Sequence, residues 1–407
     1  MFLDNIQNVW NASPVSVAIA IVIVFLGIIL YYNRDRNLPP GPTGIPILGI
    51  YPFLSNEKCH LELDEYGKKY GSLYSFRVAE QLYVNLGSPK LIREVHVTKS
   101  EIFSNRHNEF NIFAYVLDEG VPFINGEPWK VLRKFFLQIF KDFGMISLKG
   151  DMSGPVHEVL NSIIKDLRTT NGKQIDIVDL LMGKITTILC RTLFGHYPIS
   201  EEQIQNVIKP YKIVLDAQGG THAFLFGRIA KYLIFRWMPN YRPMVSNHKL
   251  MVDAIYRIID DHESTLDEDN IRDVMDAYLK ERNDRRREKD PSAKYFTKEV
   301  TIQGYRIPKG TIALMNMWSA HHDPEEYEEP YKFDPSRYIV KLGKKKPELP
   351  FTFGRGKRSC IGEAFTMMHV FLFLTNIVKN FRLSLPEGEE TNTSLYSLKL
   401  NLCAKSR

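Results

Sequence analysis

Ten consecutive residues, Phe353-Gly354-Arg355-Gly356-Lys357-Arg358-Ser359-Cys360-Ile361-Gly362, set one cysteine in a glycine-rich, cationic loop directly before the apolar stretch Ala364 to Val378. Cysteine binds metals as the thiolate, and a thiolate can ligate haem iron and donate electron density to it. That form is favoured at a helix N-terminus, beside cations, in a turn tight enough for backbone amides to approach the sulphur. The segment offers all three conditions. Gly354 and Gly356 permit the close turn, Arg358 supplies charge and a partner for a carboxylate, and Gly362 lets the helix start close to a bound group. A lone cysteine is by default an inert buried residue, and the surrounding pattern argues against that default here. Gly356-Lys357 does not make a phosphate loop, because the earlier glycine would fall at Phe351 and the hydroxyl residue at Arg358.

A chain of 407 residues, 44% hydrophobic and 12% aromatic, is long enough to bury a large core around such a loop. Its four cysteines, Cys59, Cys190, Cys360 and Cys403, are far apart and form no C-x-x-C pair. Reduced thiols on a cytosolic face follow. The formal charge of +6 is spread along the chain rather than striped with aromatics, which gives no nucleic-acid surface.

The elements that must position the loop begin after an unusual N-terminus. Val15 to Tyr32 is eighteen residues without a charge, enough for one membrane helix. No small-residue cleavage site follows it, so a retained anchor is favoured over a signal peptide. Asp4 precedes it and Arg34 and Arg36 follow, which places the remaining chain in the cytosol and the sequon at Asn11 in the lumen. Leu38-Pro39-Pro40-Gly41-Pro42 then reads as a stiff extended connector.

Residues 60–105 read as a small β-rich lobe, with a helix from His60 to Tyr70 and strands at Ser72 to Arg77 and Leu82 to Leu86. Helical spacing dominates from Pro128 to Leu279, at Trp129 to Phe140, Pro155 to Arg168, Ile177 to Leu193, Glu201 to Asp216 and His248 to His262. The charged stretch Lys280 to Pro291 reads as a solvated loop. Strands are expected at Glu299 to Ile307 and Thr311 to Trp318, on either side of a turn at Pro308-Lys309-Gly310.

The cysteine segment resembles the haem-binding motif of the cytochrome P450 family. Other pieces in the family's order support the resemblance. Trp129-Lys130-Val131-Leu132-Arg133 is similar to the W-x-x-x-R of the C helix, whose two side chains meet a haem propionate in the family. Phe333 to Tyr338 resembles F-x-P-x-R-F, with Tyr338 in place of the last phenylalanine, and Gly304 to Thr311 resembles the G-Y-x-I-P-K-G-T hairpin of microsomal members. The resemblance implies a mainly α fold with small β-sheets, an anchor over residues 1–37 and a haem-thiolate domain over 38–407. It implies haem b held by Trp129, Arg133, Phe353, Gly354, Arg358, Cys360 and Gly362, with Cys360 on the iron. It further implies electrons from NADPH through a membrane-bound reductase, a lipophilic substrate oxidised with O2, and residence in the endoplasmic reticulum membrane. Lys130, Arg133, Lys134, Lys344, Lys345, Lys346, Lys357 and Arg358 could then form a basic face for the reductase. Phe110, Phe113, Phe224 and Phe226 are candidates for a pocket wall, though aromatic residues are more often core.

Two family motifs are missing. No Glu-x-x-Arg spacing occurs anywhere, and the only Gly-Gly pair, Gly219-Gly220, is not followed by an acid and threonines. Ala293 to Thr297, which resembles the start of the I helix, runs directly into Lys298-Glu299-Val300, which resembles the strand after the K helix. A block is therefore expected to be absent between Thr297 and Lys298, and with it the acid-threonine pair that delivers protons in the family, so no catalytic residue is assigned. In the family, Glu-x-x-Arg pairs with the region of Arg337, and breaking such a buried pair costs about 3–5 kcal/mol. Two readings follow: a P450-type monooxygenase by descent that is inactive or poorly folded, or a non-catalytic anchored remnant, such as a splice or gene-model product.

Overall fold

The computed structural model describes residues 14–33, 37–55, 58–79, 81–106, 120–145, 153–195, parts of 200–213, 241–288, 300–339, 349–388 and 400–407. In chain order these form α1 (Pro14–Asn33), α2 (Cys59–Tyr70), β1 (Leu73–Val78), β2 (Gln81–Leu86), α3 (Pro89–Arg93), α4 (Ser100–Phe103), α5 (Gly126–Asp142) and α6 (Ser153–Thr169). Then come β3 (Gln174–Asp176), α7 (Ile177–Phe194), α8 (Tyr241–Ser264), α9 (Val274–Glu288), β4 (Val300–Ile302), β5 (Tyr305–Ile307) and β6 (Ile312–Met315). The last are α10 (Met317–His321), α11 (Glu363–Asn380), β7 (Phe381–Ser384) and β8 (Asn401–Ser406). The architecture is mainly helical with small sheets, as the resemblance implies.

Contacts divide the chain into two compact units. The first comprises 1–53, 60–95 and 297–347. Its core is the sheet β1-β2-β6, in which β2 pairs antiparallel with β1 and parallel with β6. Tyr74, Tyr83, Leu86 and Ile92 are almost wholly buried there, and Phe76 stacks on Tyr83 at 5.1 Å. The second unit comprises 54–59, 96–296 and 348–407. Ile163 and Leu167 of α6, Ile188 of α7, Phe373 and Ile377 of α11, and Phe381 build its core. A second sheet, β3-β8-β7, contributes Phe381 and Ala404 to it.

Three expectations need correction. The charged stretch after Lys280 is helical as far as Glu288, within α9. Lysine, arginine and glutamate propagate helices well once a helix has begun, and here Asp273 accepts the Asp276 amide at 2.9 Å at its start. Lys280 and Arg282 then fasten the helix to the Glu268 carbonyl (2.7 Å) and the Glu263 carboxylate (2.5 Å). Secondly, the turn at Pro308-Lys309-Gly310 is present, with the Thr311 amide donating to the Pro308 carbonyl at 3.3 Å, but the strand expected over Glu299 to Ile307 is split by a hairpin turn at Gln303-Gly304, both with positive φ. The chain leaves that hairpin to give β6 to the other sheet, and Asn316 caps α10 where the strand was expected to continue.

The third concerns the anchor. α1 spans 20 residues without a charge, and its described large apolar side chains, Val15 to Leu26 and Ile29, are exposed. Yet among the described residues no helix is long and apolar enough to cross a membrane. Asn11, Arg34, Arg36, Phe110, Phe113, Phe224, Phe226, most of the helix expected at Glu201 to Asp216, the Thr297-Lys298 junction and Lys344 to Lys346 lie outside the described residues.

Candidate functional site

The cysteine loop is closed by its own backbone. The Gly354 amide donates to the Phe351 carbonyl at 2.7 Å, and the Cys360 amide donates to the Phe353 carbonyl at 2.8 Å. A short 3-10 turn over Gly356–Arg358 leads to Ser359, and Gly362 then occupies the N-cap position of α11. Gly356 is indispensable by geometry. Its φ is +78°, and a Cβ there would sit 1.7 Å from the carbonyl oxygen of His96. Gly354 also has positive φ but open space around it, so only its backbone conformation requires glycine.

Cys360 emerges exposed from this loop, three residues before α11. Its sulphur therefore faces the positive end of a helix dipole. One expectation is not met: the Cys360 amide is taken by Phe353, and among the described residues no amide donates to the sulphur. Charge reaches the thiol from Arg133 instead, which lies close enough for the two to interact electrostatically.

The three other polar members of the predicted set also meet. Trp129 is buried on α5, with Arg133 one turn along the same face. The Arg358 guanidinium stacks on the Trp129 ring at 3.8 Å and that of Arg133 stands 5.8 Å from the same ring. A third arginine, Arg106, joins them, and sequence reading did not single it out. Burial lowers the pKa of Arg106 and of Arg133. Burial first, and then the charges of Arg106 and Arg133, push Arg358 down to about 9. For Arg106 and Arg133 the lowering comes from lost hydration, and only at Arg358 do neighbouring cations add to it.

Donor accounting separates their roles. Arg358 donates to the carbonyls of Ser104 (2.5 Å), Val121 (3.4 Å) and Ile124 (2.8 Å), and to Oδ1 of Asn125 (3.0 Å). Four of the five guanidinium donors are thus engaged by the protein itself. Among the described residues Arg133 uses one nitrogen, on Ser359, and Arg106 uses only Nε, on the Pro122 carbonyl. Arg358 therefore clamps the cysteine loop to Ser104, Val121, Ile124 and Asn125, while Arg106 and Arg133 have donors that no described residue takes. His96, whose carbonyl packs on Gly356, has a buried Nε2 without a partner. Burial, then Arg106, lowers its pKa to about 4.

The family's cofactor fits these residues. A porphyrin with two carboxylates and a metal needs a thiolate, anion-binding guanidiniums and a close backbone approach, and Cys360, Arg106, Arg133 and Gly356 provide them. The expected basic face is less available. Arg133 and Arg358 turn inward, Lys130 pairs with Glu127 at 2.8 Å and Lys357 pairs with Glu101, while Lys134 is exposed. Apart from this site, His262, Asp273 and Asp276 converge in the second unit. Arg272 already occupies both oxygens of Asp276, at 2.6 and 2.8 Å, so the cluster reads as a capped helix start with its own cation.

Comparison with known proteins places the chain among relatives. A family model described as Cytochrome P450 matches residues 39–295 and 290–405, in two stretches that overlap at 290–295. The chain is 24% identical to cytochrome P450 2F5 of Gorilla gorilla gorilla, over 91% of this chain and 92% of that protein. It is 24% identical to cytochrome P450 2J1 of Oryctolagus cuniculus (95% of each) and 25% identical to cytochrome P450 18a1 of Drosophila melanogaster (95% and 88%). The first alignment runs over 459 positions, more than the 407 residues the chain contains, so the relative carries positions with no counterpart here.

Proposed function

The chain belongs to the cytochrome P450 family, and from that premise we propose that it is a haem-thiolate monooxygenase by descent whose catalytic apparatus lacks one internal block. The family's cofactor is haem b, with electrons from NADPH through a reductase in microsomal members; when bound it supplies activation of O2 for insertion of one oxygen atom into an organic substrate. In this chain Cys360 would hold the iron, Arg106 and Arg133 would hold the carboxylates, and Arg358 and Trp129 would keep the loop in place. Phe353, Gly354 and Gly362 shape the turn around the thiolate. By analogy with microsomal members of the family, the substrate is proposed to be lipophilic and the redox partner a membrane-bound reductase.

One observation carries the missing block: an apolar helix face left without cover. On α11, Phe365, His369, Phe373 and Ile377 are buried, whereas Met367, Val370, Phe371, Leu374 and Val378 are 43–66% exposed at the spacing of a single stripe. A helix apolar on all sides belongs inside a protein. In the first unit Phe333, part of the F-x-P-x-R-F segment, is 94% exposed. Arg337 beside it makes no ion pair within 4 Å among the described residues, with only the nearby Asp334 carboxylate feeling its charge, and donates to the carbonyls of Glu328, Glu329, Lys332 and Asp334 at 2.8–3.2 Å. The sequence contains no acid-threonine motif of the family's kind, and that is the ground for proposing absent or weak turnover.

Membrane association is proposed through α1. What supports it is that α1 runs 20 residues without a charge and exposes Val, Ile, Leu and Phe side chains that require an apolar surrounding. An endoplasmic reticulum location with residues 38–407 in the cytosol follows from that reading. The test of the whole proposal is the reduced carbon-monoxide difference spectrum of the expressed chain. The long-wavelength Soret band of a thiolate-ligated haem is expected, and Cys360→Ser is expected to abolish it. A spectrum unchanged by that substitution refutes the ligand assignment.

A further inference from the structure

Asn125 has a use for its side chain that its position does not explain. It stands at the N-cap of α5, where an asparagine ordinarily accepts an amide of the first turn, yet it makes no capping bond. The side chain is instead committed to the cation cluster. Its Oδ1 accepts the Arg106 amide at 2.6 Å and an Arg358 Nη2 hydrogen at 3.0 Å. Its Nδ2 donates to the Arg106 carbonyl at 2.8 Å. The residue is 5% exposed, so these bonds meet little competition from water.

We propose that Asn125 is the positioning residue of the anion-binding site: it fixes the Arg106 backbone and the Arg358 guanidinium to the start of α5, so that Arg106 and Arg133 present open donors to one carboxylate-bearing face. The arrangement explains how three like-charged side chains persist together. These three bonds of Asn125 go to backbone groups of Arg106 and to the Arg358 guanidinium, and none of the three takes a guanidinium donor of Arg106 or Arg133. An aspartate in its place would retain Oδ1 but lose the donor to Arg106, and would put a carboxylate where the ligand's own carboxylate is to be attracted. The inference rests on the haem reading, and its test separates the two.

The measurement is equilibrium binding of haemin, and of haemin dimethyl ester whose carboxylates are blocked, to the full chain and to Asn125→Ala and Asn125→Asp. The full chain should favour haemin over the ester. Both variants should lose about 10- to 100-fold in haemin affinity, the range found when an outer hydrogen-bond partner of a bound centre is removed, with ester affinity unchanged. Equal losses for both porphyrins would make Asn125 a purely structural residue and overturn the proposal, as would no loss for either. If Asn125→Ala does not fold, the near-isosteric aspartate decides alone. A full chain that binds neither porphyrin overturns the haem reading and this proposal together, whereas variant-insensitive haemin binding overturns only the latter.

Discussion

Phe371 and Phe373 lie two residues apart on α11 and should differ severalfold in the cost of truncation. Phe373 is 5% exposed and belongs to the core of the second unit, whereas Phe371 is 66% exposed. Replacing a buried phenylalanine by alanine removes its transfer energy and leaves a cavity, at a cost of about 3–5 kcal/mol. Phe371 has only about a third of its surface to lose, and full burial of such a side chain contributes at most roughly 3 kcal/mol, so Phe371→Ala should cost about 1 kcal/mol or less. Urea unfolding of the two variants, followed by circular dichroism, gives the difference directly. Against a total stability of about 5–15 kcal/mol the gap of several kcal/mol is unmistakable. Inserting the corresponding block of a relative between Thr297 and Lys298 should raise the cost of Phe371→Ala towards that of Phe373→Ala. If Phe371→Ala is as costly as Phe373→Ala in the chain as it stands, the stripe is covered and the reasoning for a missing block fails.

Two further outcomes follow from the loop around Cys360. His96 has a folded-state pKa of about 4, below its ordinary value of 6.5; the fold therefore holds it neutral, and stability that is complete above pH 6.5 is lost as pH falls towards 4, by up to roughly 3 kcal/mol. His96→Phe should flatten that part of the stability profile relative to the parent chain, and parallel profiles would refute it. Gly356→Ala should unfold the loop far more than Gly354→Ala, since both have positive φ but only the first drives a Cβ into a carbonyl, 1.7 Å from His96 and nowhere nearer than 3.9 Å for Gly354. Backbone strain alone is worth roughly 1–3 kcal/mol, so Gly354→Ala should lose about that in thermal or urea melts and Gly356→Ala clearly more; equal losses would show that the contact with His96 yields.

The elements that periodicity could find were those with one dry face. Gly126–Asp142, Ser153–Thr169 and Ile177–Phe194 each show apolar residues at helical spacing, and each lies within a few residues of its expected span. The misread stretches were decided by something other than periodicity. α9 continues through a run of charged residues because Glu263 and Glu268, from the preceding segment, hold Arg282, Lys280 and Asn283. β6 leaves its own hairpin because Tyr83 to Leu86 offer a parallel edge some 230 residues earlier, and Asn316 bonds Asn85 at 3.1 Å across that pairing. Pairings of such sequence separation leave no local mark on either segment.

The same distinction governs the site. Residue types near Cys360 revealed a thiolate loop with cations, but not which cations are free, because that depends on where the carbonyls of residues 104–125 come to rest. Arg358 sits two residues from the cysteine and looks from the sequence like a carboxylate partner, yet those carbonyls and Asn125 consume four of its donors. Arg106, far away in the chain and outside every motif, gives fewer of its donors to the described residues than Arg358 does. Arg337 follows the same logic in the first unit: the loss of its expected acidic partner predicts a costly bare charge, and four backbone carbonyls solvate it instead. The penalty of removing that partner therefore falls less on the arginine than on the apolar surfaces, Phe333 and the α11 stripe, because a guanidinium can turn to nearby carbonyls whereas an exposed hydrocarbon face has no such substitute.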